Sequence, residues 1–212
     1  MSNEKIKIAV FVSGGGTNLQ ALIDAQHRGE IKAGKITCVI SSNPNAYAIT
    51  RAEQNGIDTE VIRRKDFKTF DEYDAALTQL LQSKNADVIV LAGFMTILGK
   101  QVIRAFENRI INIHPALIPS FCGEGYYGLR VHEEALKKGV KVTGATAHFV
   151  NEICDGGPII IQKAVEVRSG DTPEVLQKRV MEQAEWQILP KAVALFCEDK
   201  IKVSGNITEI IS

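Results

Sequence analysis

The sequence predicts an α/β fold: a Rossmann-like, mostly parallel twisted sheet with helices on both faces and an antiparallel edge. Three observations predict it. Short β-branched and apolar runs alternate with segments of helical spacing through the first half of the chain, the pattern of parallel strands joined by crossover helices. A glycine-rich turn separates the first apolar run from the first helical segment. Two strand-like runs late in the chain, at 141–150 and 159–167, lie too close together for a crossover helix and pair antiparallel.

Residues 6–12 are a compact apolar run stopped by Ser13 and three glycines, and helical spacing follows from Asn18. A strand at 36–41, a helix at 47–55 and a short strand at 59–62 come next, then an amphipathic helix at 67–83 and a strand at 88–91. The spacing predicts a helix over 97–106 leading to a strand at 110–114. Residues 119–128 contain three glycines and no periodicity, which marks a loop. Thr172-Pro173-Glu174 starts a helix with a hydroxyl cap, proline at the first helical position and an acid in the first turn. That helix is expected to run to about Phe196, with Pro190 kinking or dividing it. No internal repeat or polar linker interrupts the chain, so one domain over 1–212 is expected.

With 212 residues, 45% of them hydrophobic, the chain is long enough to bury a substantial core. Lys plus Arg and Asp plus Glu balance at 25 each, so no overall field favours nucleic acid or an anionic membrane. Cys38, Cys122, Cys154 and Cys197 are widely spaced and form no close ligand set with the histidines, which predicts reduced thiols and no metal site. The N-terminus runs into a strand pattern rather than a signal peptide, and no apolar segment could span a bilayer. A soluble cytoplasmic protein is expected.

The turn Ser13-Gly14-Gly15-Gly16-Thr17-Asn18 lies at a strand-to-helix junction. Glycines let the backbone approach a ligand, and the free N–H groups of a helix start favour an anion such as phosphate. Gly15, Gly16, Thr17 and Asn18 are therefore the candidate phosphate-binding residues. The alternatives are a turn that needs positive φ and side chains that only cap the helix. The spacing matches neither the triphosphate P-loop nor the dinucleotide fingerprint.

Asn112 and His114 interrupt an apolar strand two residues apart, so they share one face while Ile111 and Ile113 take the other. Alone, the histidine could be a core residue and the asparagine a cap; together they place an amide donor beside an imidazole. Asp155, before Gly156-Gly157-Pro158, is either an ordinary turn aspartate or the carboxylate that meets His114. In the second case it should orient the ring and raise its pKa, making it a proton donor near neutral pH. An Asn N–H aimed at an oxyanion completes a set suited to acyl or formyl transfer to an amine, without a metal or a covalent nucleophile.

The segments Ser13-Gly14-Gly15-Gly16-Thr17-Asn18-Leu19-Gln20, Val90-Leu91-Ala92-Gly93-Phe94-Met95, Ile111-Asn112-Ile113-His114-Pro115-Ala116-Leu117 and Asp155-Gly156-Gly157-Pro158 occur in this order. Together they resemble the folate-dependent phosphoribosylglycinamide formyltransferases along nearly the whole chain. The resemblance implies the formyltransferase fold and transfer of a formyl group from 10-formyltetrahydrofolate to the amine of 5'-phosphoribosylglycinamide in purine (IMP) biosynthesis. It implies a substrate-phosphate site in the N-terminal half, with folate binding and catalysis in the C-terminal half. By position Asn112, His114 and Asp155 match the catalytic trio, and Met95, Thr96, Ile97 and Leu98, with Asn112, match the folate-binding positions. Glu185, in Ala184-Glu185-Trp186, matches the glutamate that contacts the glycinamide; without the resemblance it reads as a solvated helix-face acid.

Three features depart from the family pattern. The loop at 120–129 is several residues longer, Trp186 stands where histidine is expected after a helix one residue longer, and Phe70 occupies the place of a folate-contacting arginine. His148 on the next strand is either a partner of the trio or a packed core residue. The expected partners are the two small-molecule substrates, with no nucleic acid and no membrane, and a homodimer is open because apolar helix faces do not distinguish sheet from subunit. Competing readings are methionyl-tRNA formyltransferase, formyltetrahydrofolate deformylase and a non-catalytic nucleotide-binding module. The first two normally carry an extra domain and have no reason to keep the phosphate turn, and the third predicts a broken trio.

Overall fold

The computed structural model describes residues 4–211; Met1–Asn3, part of the N-terminal stretch read above, and Ser212 lie outside them. The strands are β1 (Ile6–Val12), β2 (Gly34–Ser41), β3 (Asp58–Val61), β4 (Val88–Leu91), β5 (Ile110–His114), β6 (Val142–Phe149) and β7 (Ile159–Glu166). They form one seven-stranded sheet in the order β3-β2-β1-β4-β5-β6-β7. Every pair from β3 to β5 is parallel, and β6 and β7 are antiparallel to their neighbours. The chain leaves β1 in one direction for β2 and later returns to its other side as β4. Open α/β sheets bind ligands in the crevice such a reversal creates at the carboxyl ends of the strands.

The helices are α1 (Thr17–His27), α2 (Tyr47–Gln54), α3 (Phe70–Ser83), α4 (Lys100–Ala105), α5 (Leu129–Lys138), α6 (Pro173–Val180) and α7 (Trp186–Cys197). Both sheet faces are covered, which is why the central strands are continuous apolar runs rather than alternating ones. On one face Val10, Val12, Ile111 and Ile113 pack with residues of α1, α2, α6 and α7, including Leu22, Ala48, Leu176 and Leu189. On the other, Phe11, Leu91 and Ile110 pack with Tyr73, Leu77 and Leu81 of α3 and Val102 of α4. The predicted parity of β5 therefore holds: Ile111 and Ile113 share one core, and Asn112 and His114 point to the α3–α4 side.

Several boundaries differ from the sequence reading for identifiable reasons. The helix expected at 67–83 starts at Phe70 because Thr69 and Glu72 form a capping box, after a 3-10 turn at Arg64–Asp66. The helix expected at 97–106 is confined to Lys100–Ala105. Its start is set from outside by Asp74, whose carboxylate accepts the N–H groups of Gln101 (2.8 Å) and Val102 (3.3 Å). A Cβ at Gly99 would lie 2.1 Å from that carboxyl, so the residue before the helix must be glycine.

Pro190 does not divide the last helix; it sits buried inside α7. The break is a π-helical turn at Met181–Glu185, which accommodates an extra residue without ending the helix. This is a physical form for the one-residue length difference noted at Glu185. Two elements escaped the sequence reading. The helix α5 ends at Gly139 in a left-handed cap, and the tail forms a hairpin of β8 (Ile201–Ser204) and β9 (Ile207–Ile210). Gly205-Asn206 between alternating residues was the signal for the hairpin.

Asp74→Ala should lower stability by about 1–3 kcal/mol, because it removes the acceptor of two helix-start N–H groups, that of Val102 buried. A urea midpoint equal to that of the parent chain would show that α4 is held by other contacts.

Candidate active site

The glycine turn follows β1 at the crevice. Gly16 is the N-cap of α1 with φ +71°, and no side chain caps the helix. A Cβ there would lie 2.6 Å from Ala48 Cβ, so positive φ and close packing both require glycine. Gly14 and Gly15 face open space instead. The turn is braced from α2: Ala48 N–H donates to the Gly14 carbonyl (3.1 Å) and Arg51 Nε donates to the Gly15 carbonyl (2.9 Å). Arg51 escaped the sequence reading because its partner is 36 residues away and no local pattern marks it. The uncapped first N–H groups of α1, including those of Thr17 and Asn18, remain available to an anion.

The Asn18 side chain is engaged elsewhere. Its Nδ2 donates to Glu185 Oε2 at 2.7 Å, across 167 residues of sequence. Asn18 is 8% and Glu185 6% exposed, so Glu185 is not a solvated helix-face acid. Burial pushes its carboxyl up to about 7, against the lowering influence of the Asn18 amide.

The segment after β4 is tied to the glycine turn by Ser13, whose Oγ accepts Met95 N–H (2.9 Å) and lies 2.6 Å from Ser42 Oγ. Phe94 packs on Phe11 and anchors the segment. Met95 and Ile97 are exposed and Thr96 is half-buried, whereas Leu98 belongs to the core. Of the four positions expected to contact folate, Leu98 is therefore buried. The bridging role of Ser13 has no local signal in the sequence, since it depends on the β1–β4 adjacency.

Asn112, His114 and Asp155 come together, and His148 joins them. In the register of the antiparallel β5–β6 pair Asn112 lies opposite His148, and Asn112 Nδ2 is 3.1 Å from His148 Nε2. His148 Nδ1 donates to the Phe149 carbonyl (2.8 Å), which leaves Nε2 to accept from the amide. A register shift between β6 and β7 at Ala147/His148 is a local irregularity of the kind that re-aims side chains beside active sites. Asp155 lies between the two rings, with Oδ2 3.5 Å from His114 Nδ1 and Oδ1 3.6 Å from His148 Nε2. It adopts φ +53°, and a Cβ at Gly157 would fall 1.9 Å from the Phe149 carbonyl oxygen. Only a glycine-rich turn delivers the carboxylate there.

The loop 119–128 lies against the same groups. His114 Nε2 donates to the Phe121 carbonyl (2.8 Å), and Gly123 N–H donates to Asp155 Oδ2 (2.9 Å). Burial is the largest influence on Asp155 and would raise it, but His148, His114 and the Gly123 N–H together hold it below its ordinary value. For His114 the balance runs against the sequence reading. Asp155 and the Phe121 carbonyl raise its pKa, yet desolvation outweighs both and the net shift is downward. A ring 4% exposed loses more from dehydration than a carboxylate at 3.5 Å returns.

His132 of α5 is fully buried with neither ring nitrogen partnered, and burial, followed by the His114 charge, pushes it down to about 4. A cavity of about 480 Å³ borders Asp155 between Pro119, Cys122 and Cys154 on one side and the hairpin residues Asn206 and Thr208 on the other. No group of three His, Cys, Asp or Glu side chains is arranged to hold a metal ion among the described residues, and no helix among them is long and apolar enough to cross a membrane.

A doubly covered sheet with an uncapped glycine turn, and an Asn–His–Asp cluster beside β5, has counterparts among known proteins. The model of the formyl transferase family matches residues 6–193, and the chain belongs to that family. Its whole-chain relatives are more particular: it is 43% identical to phosphoribosylglycinamide formyltransferase of Haemophilus influenzae, covering 95% of this chain and 92% of the relative. The crystal structure of glycinamide ribonucleotide transformylase 1 from Symbiobacterium toebii superposes with a TM-score of 0.93 at 40% identity, covering 100% of this chain and 96% of that one. The trifunctional purine biosynthetic protein adenosine-3 of Bos taurus is 41% identical over 96% of this chain, which spans only 19% of that longer protein.

In the free protein His114 should titrate below 6.5, and Asp155→Asn should lower its midpoint further by removing the raising influence. Histidine ring NMR reads both, and a midpoint above 6.5 would reverse the assigned balance. Glu185 gives a second expectation. Its folded carboxyl keeps a proton up to about 7 whereas the ordinary value is 4.5, so its contribution to stability is full below 4.5 and is lost as pH rises through 7. Glu185→Gln should therefore stabilise the chain by on the order of 3 kcal/mol above pH 7 and by little at pH 4. Equal urea midpoints at pH 8 would contradict it.

Proposed function

We propose that the chain transfers the formyl group of 10-formyltetrahydrofolate to the amine of 5'-phosphoribosylglycinamide in purine biosynthesis. The observation that carries the reading is the Asp155 carboxylate set between His114 and His148, with Asn112 beside them. Family membership and whole-chain relatives named for this reaction support the same donor and acceptor. The intact cluster argues against a non-catalytic nucleotide-binding module.

The substrate phosphate is held by the backbone at Gly15, Gly16, Thr17 and Asn18, where the uncapped start of α1 supplies donors and a favourable dipole. Glu185 faces the glycinamide part. The pterin lies against the backbone of Met95, Thr96, Ile97 and Leu98. The neutral amine attacks the formyl carbon, and the carbonyl oxygen becomes an oxyanion met by the Asn112 N–H and by protonated His114, whose Nε2 N–H turns to it from the Phe121 carbonyl. Asp155 orients the ring and favours its protonated form once the developing negative charge offsets the desolvation that lowers it in the free protein. The attacking nitrogen gives up a proton and the departing folate nitrogen gains one as the C–N bond to it breaks. His148 holds Asn112 and Asp155 in place from β6. The location is the cytoplasm, where Cys38, Cys122, Cys154 and Cys197, all free thiols, stay reduced.

With saturating 10-formyltetrahydrofolate and glycinamide ribonucleotide, the purified chain should show the absorbance change of folate release; no change would sink the reading. Asp155→Asn should lower kcat by about 10²–10⁴-fold, the range for a group that serves proton transfer. Near-parent turnover would remove Asp155 from the mechanism.

A further inference from the structure

We infer that the Asn18 side chain is a positioning residue, holding the Glu185 carboxyl at the start of α1 rather than contacting the substrate phosphate itself. The inference rests on the formyl-transfer reading for the role of Glu185 and deepens it. Its observations are the 2.7 Å bond between Nδ2 and Oε2 and the burial of both residues. This amide orientation is the one an ionised Glu185 requires, since a carboxylate accepts and only Nδ2 can donate. Asn18 Oδ1 is then left buried without a partner. A phosphate dianion drawn to the same Nδ2 would lie beside the Glu185 carboxylate, two like charges competing for one group. The backbone N–H groups at the start of α1 carry no such opposition.

Glu185 also needs a restraint of this kind. It closes the π-helical turn Met181–Glu185, where backbone bonds are less regular than in the flanking α-helix. Burial and the Asn18 amide are the two influences that act on its carboxyl, with no charged side chain among them. From α1 the facing residue is Asn18, and the β6 residues on the core side of the sheet, Ala145 and Ala147, are uncharged. An amide suits this position in either protonation state. An ionised Glu185 accepts from Nδ2, and a protonated one donates to Oδ1 after the amide turns over, giving that oxygen its partner. An ionised aspartate there could only accept.

The test is a cycle of Asn18→Ala, Glu185→Ala and the double variant, with KM and kcat for glycinamide ribonucleotide, competitive inhibition by inorganic phosphate, and the Glu185 carboxyl titration by ¹³C NMR. Asn18→Ala should raise KM about tenfold, the scale of a buried hydrogen bond to a charged group, with kcat changed by less than about threefold. Added to Glu185→Ala it should change KM by less than about threefold, because nothing is left to position. Inhibition by phosphate should stay within about threefold of the parent, and the carboxyl midpoint should move up, since the amide lowers it. Additive effects on KM, a loss of phosphate inhibition parallel to the rise in KM, or an unmoved carboxyl midpoint would each overturn the inference. Asn18→Asp keeps the side-chain size and should move the midpoint up further, which decides the matter if the alanine variant does not fold. A parent chain without formyl transfer would sink the proposed activity alone, and the carboxyl titration would still decide whether Asn18 governs Glu185.

Discussion

The arrangement around β5 depends on one buried charge, the Asp155 carboxylate. Burying an ion is tolerable only when polar groups replace its water, and three come from separate parts of the chain: the Gly123 N–H of the 119–128 loop donates to it, and the rings of His114 on β5 and His148 on β6 lie 3.5 and 3.6 Å away. Delivering the carboxylate to them requires a left-handed aspartate and a glycine at 157 where no Cβ fits. The antiparallel register of β5 and β6 is part of the same requirement, because it sets His148 opposite Asn112. Charge, turn and sheet topology are thus coupled at this point.

Period-two alternation made Asn112 and His114 legible, since a polar pair on one face of an apolar strand is visible without knowing the neighbours. The glycine turn was legible for a similar reason, as strand, turn and helix lie within one short stretch. The contacts of His148, Arg51 and Ser13 were not, because each depends on which strands become adjacent, and adjacency is a property of topology. The α4 start shows the same limit: apolar spacing suggested residue 97, and a carboxylate from α3 set it at residue 100. Pro190 does not break the helix, for a local reason: the irregularity sits in the π turn before it, and the helix continues through the proline.

The direction of the His114 shift was misjudged because sequence reveals a neighbouring carboxylate more readily than a depth of burial. Desolvation opposes charge of either sign, so it pushes an imidazole down and a carboxyl up. Both movements occur here, in His114 and in Glu185. Asp155 escapes the trend only because the influences of His148, His114 and the Gly123 N–H together outweigh it. The free site therefore concentrates negative charge on one carboxylate, while burial shifts His114 and Glu185 toward their uncharged forms.

That distribution suits an amine nucleophile. An amine held against a permanently ionised carboxylate is favoured as ammonium, which has no lone pair with which to attack. A Glu185 carboxyl raised to about 7 removes much of that opposition near neutral pH. In the proposed reaction His114, which desolvation shifts toward its neutral form in the free protein, becomes the better proton carrier only when an oxyanion forms near it, because the new negative charge and Asp155 then act together against desolvation. Protonation is in this way coupled to the step that needs it, which is the differential stabilisation that accelerates a reaction rather than merely tightening substrate binding.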